Sequence, residues 1–352
     1  MRSREIQKDD DGVLISIVIP VFNHVELTRE CIENLRRHTQ VSHDIIVVNN
    51  GSTDATASYL QSEQIHAIKN SENLGFPRAA NQGIESARGR YICLLNNDVT
   101  VLEGWLEPLL ESLVNDPGIG IVGPKQVSPR STVWHAGTAF GPDDHTTLAR
   151  KPFHIFIDYP DDDPLVNVGR CYPAMNFGCC LIPARMFDEI GLLDDDTFLF
   201  PGLFEDVDWC LRLRKGGYQC LYCPNSKVIH LANQTQYKTG ESLKKKSLAA
   251  LETNLERLIK KWQGEPESFL VPDYMRPILD DYFSSAPFLR EEKGELRRQV
   301  SDLRGHNQEL EADWKLKCEQ IEAMQARIAE LEAGSHQTNG SQPKRFWGRR
   351  KQ

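Results

Sequence analysis

A regular alternation of short apolar runs and amphipathic segments in the first part of the chain constrains its fold more than any other feature. The apolar runs are too short for helices of typical length, so they are predicted to be strands, at residues 14–20, 44–48, 65–68 and 91–95. Between the first two runs, Leu27, Cys31 and Leu35 fall on one side of a predicted helix. Strands that alternate with helices in this way form a parallel sheet covered by those helices. The sequence therefore predicts an α/β domain with a doubly wound, mostly parallel sheet.

Polar residues that directly follow these runs indicate where a ligand would bind. Asn96, Asn97 and Asp98 come straight after the run at 91–95, where a parallel strand reaches the carboxyl edge of its sheet. Ligands of open α/β sheets bind at that edge, and a carboxylate held there can bind a divalent cation and, through it, phosphate oxygens. From these residues alone two interpretations stay open, a cation site or the start of an ordinary turn. Asp54 has the same two interpretations, as a ligand-binding residue or as a cap of the next helix.

A cluster of carboxylates opens a predicted helix in the second half of the chain. Glu205, Asp206 and Asp208 fall within four positions, and like charges so close together repel one another. Helix N-termini favour acidic side chains, which is one explanation for the cluster. The other explanation is that one carboxylate serves as a general base. His230 closes the last predicted strand of this region, where its spacing fits either a packing residue or a metal ligand.

Composition excludes several classes of function. A formal net charge of −9 argues against a general nucleic-acid binder, which should be basic. The apolar runs are too short to span a membrane, and the first residues do not have a signal-peptide pattern. The nine cysteines are scattered without a framework pattern, which favours a reducing cytoplasm. Cys220 and Cys223 form a lone C-x-x-C that is interpreted as part of a strand, with a metal or redox role as the alternative. There is no G-x-G-x-x-G after the first strand, so the dinucleotide fingerprint is missing.

A heptad pattern dominates the C-terminal part of the chain. Apolar residues recur every seven positions in two offset series, with Asn307 at one core position, and this predicts a coiled coil that forms a homodimer or oligomer. A single solvent-exposed helix is the alternative. The final KRFWGRRKQ interleaves basic and aromatic residues and is predicted to touch an anionic membrane surface. The predicted segments are a flexible N-terminus at 1–13, the α/β domain at 14–240, a helical extension and connector at 241–287, the coiled coil at 288–333 and a disordered basic tail at 334–352.

Six stretches of residues 14–231 occur in the order found in a known family. They are SIVIPVFNH, VVNNGSTD, NLGFPRAANQGI, YICLLNNDV, GCCLIPARMFDEIGLLDD and FEDVDWCLRLRKGGY. Together they resemble the inverting, nucleotide-sugar-dependent glycosyltransferases of family 2, and most closely the bacterial rhamnosyltransferase and galactofuranosyltransferase-like branch. The resemblance implies the GT-A fold, a Rossmann-like, mostly parallel sheet, followed in this chain by the predicted C-terminal coiled coil.

The resemblance also implies a role for individual residues. The positions it assigns to nucleotide-sugar binding are Pro20, Phe22, Asn23, Asn50, Asp54, Asn73, Gly75, Asn81, Asn96 and Asn97. The first five would border the base and ribose, and the next three would shape the diphosphate and sugar end of the pocket. Asp98 would be the retained metal carboxylate of the family's D-x-D motif, with His230 as a further ligand of Mg²⁺ or Mn²⁺. Asp206 would be the catalytic base and Glu205 would help to hold the acceptor. Asn96 departs from the aspartate that is commoner in the family.

The implied activity is the transfer of a sugar from a nucleotide-diphosphate donor to a hydroxyl group of a glycan or lipid-linked glycan. Such an enzyme would contribute to cell-surface polysaccharide synthesis in the cytoplasm, at the inner face of the membrane. Two alternatives stay open. A scaffold that binds nucleotide sugars without catalysis would act through the coiled coil. A nucleotidyltransferase would need an early glycine-rich basic loop, whereas the first strand here ends in PVFNH.

Overall fold

A computed structural model describes residues 14–141, 151–198, 202–231, 241–265 and 276–279. The chain separates into two compact units, Met1–Val271 and Pro272–Gln352, and the candidate site lies within the first. The predicted N-terminus at 1–13, coiled coil at 288–333 and basic tail at 334–352 lie outside the described residues. No helix of the described part is long and apolar enough to cross a membrane.

The first half of the domain confirms the predicted alternation of strands and helices. Its elements are β1 (Ile15–Val21), α1 (Val25–His38), β2 (His43–Asn50), α2 (Thr56–Ser62), β3 (His66–Asn70), α3 (Phe76–Ser86) and β4 (Tyr91–Leu95). β1 pairs with both β2 and β4, β2 pairs with β3, and all three pairings are parallel. The strand order is therefore β3-β2-β1-β4. Because the chain leaves β1 toward β2 and later returns to β1's other side as β4, a crevice opens at the carboxyl ends of β1 and β4.

The second half extends the sheet with strands of both directions. Its elements are β5 (Val99–Val101), α4 (Glu107–Asn115), β6 (Ile119–Val127), β7 (Val133–His135), β8 (Thr138–Phe140), β9 (Pro152–His154), β10 (Arg170–Tyr172), β11 (Cys179–Pro183), α5 (Arg185–Glu189), α6 (Glu205–Lys215), β12 (Gln219–His230) and α7 (Glu241–Trp262). β11 runs antiparallel between β4 and β6, and β12 runs parallel to β6. The main order of this ten-stranded sheet is β10-β12-β6-β11-β4-β1-β2-β3, and β5 pairs with β12 and β7 with β6 beside this path. Strands β8 and β9 form a separate two-stranded sheet.

Two prolines set local features of the second half. Helix α4 begins at Glu107, because Pro108 suits a first helical turn and the preceding residues form turns. Strand β12 contains a register shift between Cys223 and Lys227. Pro224 lacks the amide proton that a regular ladder needs, so the strand continues through an irregularity at this point. Cys220 and Cys223 lie within this strand as free thiols, as interpreted from the sequence.

The core lies between the sheet and its helices. β1 is almost fully buried, and Ile32 and Leu35 of α1 pack in the same apolar cluster. Full burial of such a side chain contributes about 1.5–3 kcal/mol to folding. Helix α3 lies unusually close to the sheet, because a Cβ atom on Gly83 would fall 2.2 Å from Cγ1 of Val18. The small residues of α3 thus allow the close helix–sheet contact that the sequence predicted.

Candidate active site

The loops that follow β1 and β2 are tied to each other at the crevice. Asn23 donates its backbone amide to Ser52 Oγ at 2.8 Å, and its side-chain Oδ1 accepts from the amide of Thr53 at 2.8 Å. Asn23 has a left-handed backbone with φ 58°, which asparagine tolerates better than most residues. Pro20 and Phe22 are half-buried beside this turn. The turn after β1 is therefore shaped by hydrogen bonds from the turn after β2.

Asp54 links the starts of two helices. Its Oδ2 accepts from the amide of Val25 at 3.1 Å, where α1 begins, and its Oδ1 accepts from the amide of Thr56 at 3.0 Å, where α2 begins. Burial alone would raise the pKa of this carboxyl, but the hydrogen bonds from Thr56 and Val25 lower it below its usual value. Asp54 therefore holds the first residues of α1 and α2, although the N-cap positions of these helices are His24 and Ala55.

Asn50 organises the loop that leads into α3. It is buried at the end of β2, where its amide nitrogen donates to Asn73 Oδ1 at 2.9 Å and to the carbonyl of Gly75 at 3.1 Å. Its carbonyl oxygen accepts from the amide of Leu74 at 3.0 Å. Gly75 has φ 85°, which a residue with a side chain rarely adopts. The structure thus brings Asn50, Asn73 and Gly75 into one hydrogen-bonded unit.

Asn81 lies farther along α3 and contacts the second half of the domain. It is buried, and its side-chain amide exchanges two hydrogen bonds with the backbone of Leu193, at 2.9 and 3.0 Å. Its side chain therefore holds the segment between α5 and α6 in place. Asn81 would act on the predicted sugar-binding residues only by positioning that segment.

The turn after β4 holds Asp98 next to His230. Oδ1 of Asp98 lies 3.2 Å from Nε2 of His230, and both side chains are buried. The pair is fixed from the backbone as well, because Val99 of β5 pairs with His230 and the amide of Leu231 donates to the carbonyl of Asp98. The neighbouring Asn97 donates to Thr28 Oγ1 at 3.0 Å. The predicted partners Asp98 and His230, which are far apart in sequence, meet at the sheet edge.

The Asp98–His230 pair suits a divalent cation in the chemistry of its donor atoms. One carboxylate oxygen and one imidazole nitrogen are both common ligands of such ions. Among the residues that the structure describes, no group of three or more His, Cys, Asp and Glu side chains is arranged to hold a metal. The protein therefore offers two ligands here, and the remaining ligands of a cation would have to come from a bound diphosphate and water.

The start of α6 presents two carboxylates in an unusual backbone setting. Gly202, Leu203 and Phe204 all have positive φ angles, of 98°, 120° and 70°, and the carboxylate of Glu205 accepts a hydrogen bond from the amide of Leu203. Non-glycine residues with such angles store strain and tend to occur at functional sites. Asp206 accepts from the amide of Val207 at 2.7 Å.

Both carboxyls hold their protons more tightly than usual. Burial, reinforced by the nearby charge of Asp206, raises the pKa of Glu205 to about 8. Burial raises the pKa of Asp206 to about 6, against the opposing effect of hydrogen bonds from the backbone of Val207 and Phe177. At neutral pH the pair therefore carries about one negative charge, centred on Asp206. A half-buried carboxylate with such a pKa is suited to accept a proton.

A short segment before β11 joins the carboxylate pair to the Asp98–His230 pair. The backbone of Phe177 hydrogen-bonds Asp206. The next residue, Gly178, accepts from the amide of Asn96 at 2.9 Å and lies against His230, since a Cβ atom there would fall 2.9 Å from Cε1 of the imidazole. Residues 176–178 thus bring a proton acceptor and a candidate cation pair into one site.

Several residues that build this site were missed from the sequence. Gln126, near the end of β6, accepts a hydrogen bond from His230 Nδ1 through Oε1 at 2.8 Å, and Asn176 contacts Gln126 in turn. Asp208, the third carboxylate of α6, is fully buried with Arg212 and Lys261 as partners. No local pattern marks these contacts, because most partners lie 50 or more positions apart in the chain.

Comparison with known proteins gives the family. A model of glycosyl transferase family 2 matches residues 16–171. The uncharacterized protein y4gI of Sinorhizobium fredii is 27% identical over 229 residues, which are 62% of this chain and 24% of that protein. The O-antigen biosynthesis protein RfbC of Myxococcus xanthus is 26% identical over 224 residues, 61% of this chain and 17% of that protein. This chain thus spans a quarter or less of the length of these two relatives.

A shorter relative is also similar to this chain. An uncharacterized glycosyltransferase of Rickettsia prowazekii is 30% identical over 188 residues, 52% of this chain and 54% of that protein. The matched family region, residues 16–171, contains the turns after β1, β2 and β4, and Asp98 lies within it. Residues 16–171 of this chain therefore form a domain of glycosyl transferase family 2.

Proposed function

We propose that this chain transfers a sugar from a nucleoside-diphosphate sugar to a hydroxyl group of an acceptor, with inversion at the anomeric carbon. The observation that carries the proposal is the segment 176–178, because it links a carboxylate able to accept a proton with a carboxylate–imidazole pair able to hold a cation. The first group suits activation of a hydroxyl, and the second suits neutralisation of a diphosphate. A metal-dependent inverting sugar transfer uses both.

Asp206 performs the proton transfer in this mechanism. Its carboxylate takes the proton of the acceptor hydroxyl while the acceptor oxygen forms a bond to the anomeric carbon. The bond from that carbon to the diphosphate breaks on the opposite face, and the diphosphate leaves with the electron pair, so the configuration inverts. Because the pKa of Asp206 is about 6, the group is ionised at neutral pH yet more basic than an exposed aspartate. Glu205, largely protonated beside it, can donate a hydrogen bond toward the acceptor.

Asp98 and His230 are the residues that would hold Mg²⁺ or Mn²⁺, with Asn96 and Asn97 beside them. When bound, the cation supplies positive charge that stabilises the departing diphosphate. Asn96, where an aspartate is commoner in the family, contributes no charge of its own. Only one carboxylate would therefore face the cation, which leaves more of its charge for the diphosphate.

The joined loops after β1, β2 and β3 are proposed to bind the nucleotide. Pro20, Phe22 and Asn23 would contact the base and ribose, with Asp54 and Asn50 holding their loops in shape. Asn73 and Gly75 would face the diphosphate and sugar, and Asn81 would fix the 191–195 segment that borders them. The hydrogen bonds between the two loops support this arrangement, since a pocket formed before the ligand arrives loses less entropy on binding.

We infer a surface glycan or a lipid-linked glycan as the acceptor. Support comes from the relative named for O-antigen biosynthesis. The enzyme would then work in the cytoplasm at the inner membrane face, where the basic tail could contact anionic lipids. The segment at 288–333 would assemble the chain into a homodimer or oligomer. Deletion from Gly294 onward is expected to lower the mass measured by light scattering and to leave donor hydrolysis largely intact, and an unchanged mass would contradict the assembly role.

A donor screen tests the proposed function. Purified protein with Mn²⁺ or Mg²⁺ is incubated with UDP-, TDP- and GDP-sugars, and nucleotide release is measured beside an Asp206→Asn variant. Metal-dependent release of one nucleotide that the variant lacks would support transfer and identify the donor. If no donor is turned over and no nucleotide with metal raises the melting temperature, the scaffold alternative is favoured instead. The departure at Asn96 is the one observation on its side.

A further inference from the structure

Four buried polar side chains form a series of close polar contacts behind the sheet edge. Asn176 Oδ1 lies 2.6 Å from Gln126 Nε2, Gln126 Oε1 lies 2.8 Å from His230 Nδ1, and His230 Nε2 lies 3.2 Å from Asp98 Oδ1. All four residues are less than a tenth exposed. Buried polar groups in such a series restrict one another's orientation, because an unmatched donor or acceptor would be costly.

The backbone fixes the direction of the series. The carbonyl oxygen of Cys179 can only accept, and it lies 3.5 Å from the amide nitrogen of Gln126. That contact requires the NH₂ group of Gln126 on this side, and the Asn176 amide is oriented to match, with its oxygen 2.6 Å from Gln126 Nε2 and its nitrogen 3.4 Å from Gln126 Oε1. Gln126 therefore turns its carbonyl oxygen toward His230. Since a carbonyl oxygen cannot donate, Nδ1 of a neutral His230 carries the proton, and Nε2 keeps its lone pair.

Two acceptors consequently face each other at the sheet edge. The lone pair of His230 Nε2 points toward the Asp98 carboxylate oxygen, with no donor hydrogen between them in the neutral imidazole. The ring has little freedom to turn away, because the backbone of Gly178 lies against one side of it and the indole of Trp134 is 6.3 Å away at 79°. A positive ion satisfies both acceptors at once.

We propose that Gln126 is a positioning residue that presents Nε2 of His230 to the cation, and that the resulting nitrogen–oxygen pair makes the site prefer Mn²⁺ to Mg²⁺. This inference rests on the proposed function, which requires a cation at this position. Magnesium favours oxygen ligands and keeps its water, whereas imidazole suits transition-metal ions. A second hydrogen bond that fixes the ring tautomer strengthens such a ligand, and its loss typically weakens metal affinity about 10–100-fold.

The tautomer can be read in the unmodified protein. Long-range ¹H–¹⁵N correlation spectra of the full chain without metal, recorded where His230 is neutral, distinguish a proton on Nδ1 from one on Nε2. The proton is expected on Nδ1. A proton on Nε2 would overturn the inference, whatever the substituted chains do.

Metal binding is then measured with MnCl₂ alone on the full chain. Electron paramagnetic resonance of free Mn²⁺ gives the affinity, competition with MgCl₂ gives the preference, and echo-envelope modulation reports ¹⁴N coupling from a bound imidazole. Gln126→Leu is expected to lose about 10–100-fold in Mn²⁺ affinity together with the ¹⁴N coupling, with a much smaller change for Mg²⁺. Gln126→Glu keeps an acceptor opposite Nδ1, so it is expected to retain the coupling and most of the affinity.

Gln82→Leu is the matched control, because Gln82 also makes two side-chain hydrogen bonds, both to Asn70 and away from the cation pair. Its Mn²⁺ affinity is expected to match the unmodified chain. The inference fails if Gln126→Leu keeps the ¹⁴N coupling, or if the unmodified chain binds no Mn²⁺ or binds it without nitrogen coupling. If Mn²⁺ binds through nitrogen but no donor is turned over, the proposed function fails and the inference stands.

Discussion

The two faces of helix α6 hold a half-buried and a fully buried carboxylate in opposite electrostatic settings. Asp206 accepts hydrogen bonds from backbone groups, and no cationic side chain in the described part of the chain contacts it. Asp208, two positions later, is bound by Arg212 Nε at 3.0 Å, by Lys261 Nζ at 2.8 Å and by Trp262 Nε1 at 2.9 Å. A desolvated carboxylate that lacks a cation holds its proton more tightly and can exchange it, whereas one paired with two cations holds those side chains in place.

The Asp208 face extends this anchoring to the segment before α6. Lys261 of α7 also binds Asp194 at 2.6 Å, and Arg257 donates to the carbonyl of Thr197 at 2.9 Å. Both contacts fall between α5 and α6, in the stretch that leads toward Glu205. Helix α7 therefore braces the backbone that presents the Asp206 face, although its own residues lie outside the matched family region. The helix thus separates the three neighbouring carboxylates, with the proton-exchanging pair Glu205 and Asp206 on one face and Asp208, which binds basic side chains, on the other.

The largest expected effect follows from removing the uncompensated carboxylate. Asp206→Asn should lower kcat for nucleotide release about 10²–10⁴-fold, because a positioned general base contributes that much. The melting temperature should not fall, since the change removes a desolvated charge that has no cationic partner, and the asparagine oxygen can still accept the backbone hydrogen bonds. Steady-state kinetics and thermal unfolding of the same sample separate the effect on catalysis from any effect on stability. A loss of less than about tenfold would show that Asp206 is not the base.

Removal of the compensated carboxylate should act on stability instead. Asp208→Asn leaves Arg212 and Lys261, whose side chains are 23% and 32% exposed, without their shared carboxylate. The change is expected to cost about 2–3 kcal/mol in the free energy of unfolding, because solvent reduces the roughly 3–5 kcal/mol expected for a fully buried pair. Urea denaturation measures this. In protein that remains folded, the pH dependence of kcat should be unchanged. An Asp208→Asn chain as stable as the original would mean that the network contributes no net stability.

The two faces of α6 also differ in how far they could be predicted from the sequence. The Asp206 face was predictable because Glu205 and Asp206 stand in a contiguous motif, just as Asn96 to Asp98 directly follow a strand of recognisable pattern. The anchor was not predictable, because Asp208 meets Trp262 across 54 positions and no periodicity encodes that contact. Strands of three residues, such as β7 to β10, also carry too few side chains to show a period.

The raised pKa values of Glu205 and Asp206 predict how the stability of the protein changes with pH, an effect of intermediate size. Glu205 and Asp206 take up protons more readily when folded, with pKa values of about 8 and 6, than in the unfolded chain. The stability that this pair contributes should therefore be greatest below about pH 4, where both groups are protonated in the folded and the unfolded chain, and should fall as the pH rises toward 8. Glu205→Gln removes the contribution of Glu205, which is about 1.4 kcal/mol for each unit by which folding raises its pKa. The stability of this variant should therefore decline less steeply with rising pH. Denaturation midpoints of both chains at pH 5, 6.5 and 8 measure the decline, and an equal decline would contradict the raised pKa of Glu205.

The smallest expected effect tests whether α7 holds in place the segment that precedes Glu205 and Asp206. Lys261→Met removes the amine that joins Asp208 to Asp194, and because Lys261 is 32% exposed, about 1–2 kcal/mol of stability is expected to be lost. Lys260→Met is the matched control, since Lys260 is exposed on the same helix, and its stability should change by less than about 0.5 kcal/mol. If α7 braces the segment that leads toward Glu205, Lys261→Met should also raise the KM of the acceptor more than it lowers kcat. A change in stability with unaltered kinetics would instead limit α7 to holding the fold, because the start of α6 would then keep its geometry without the helix.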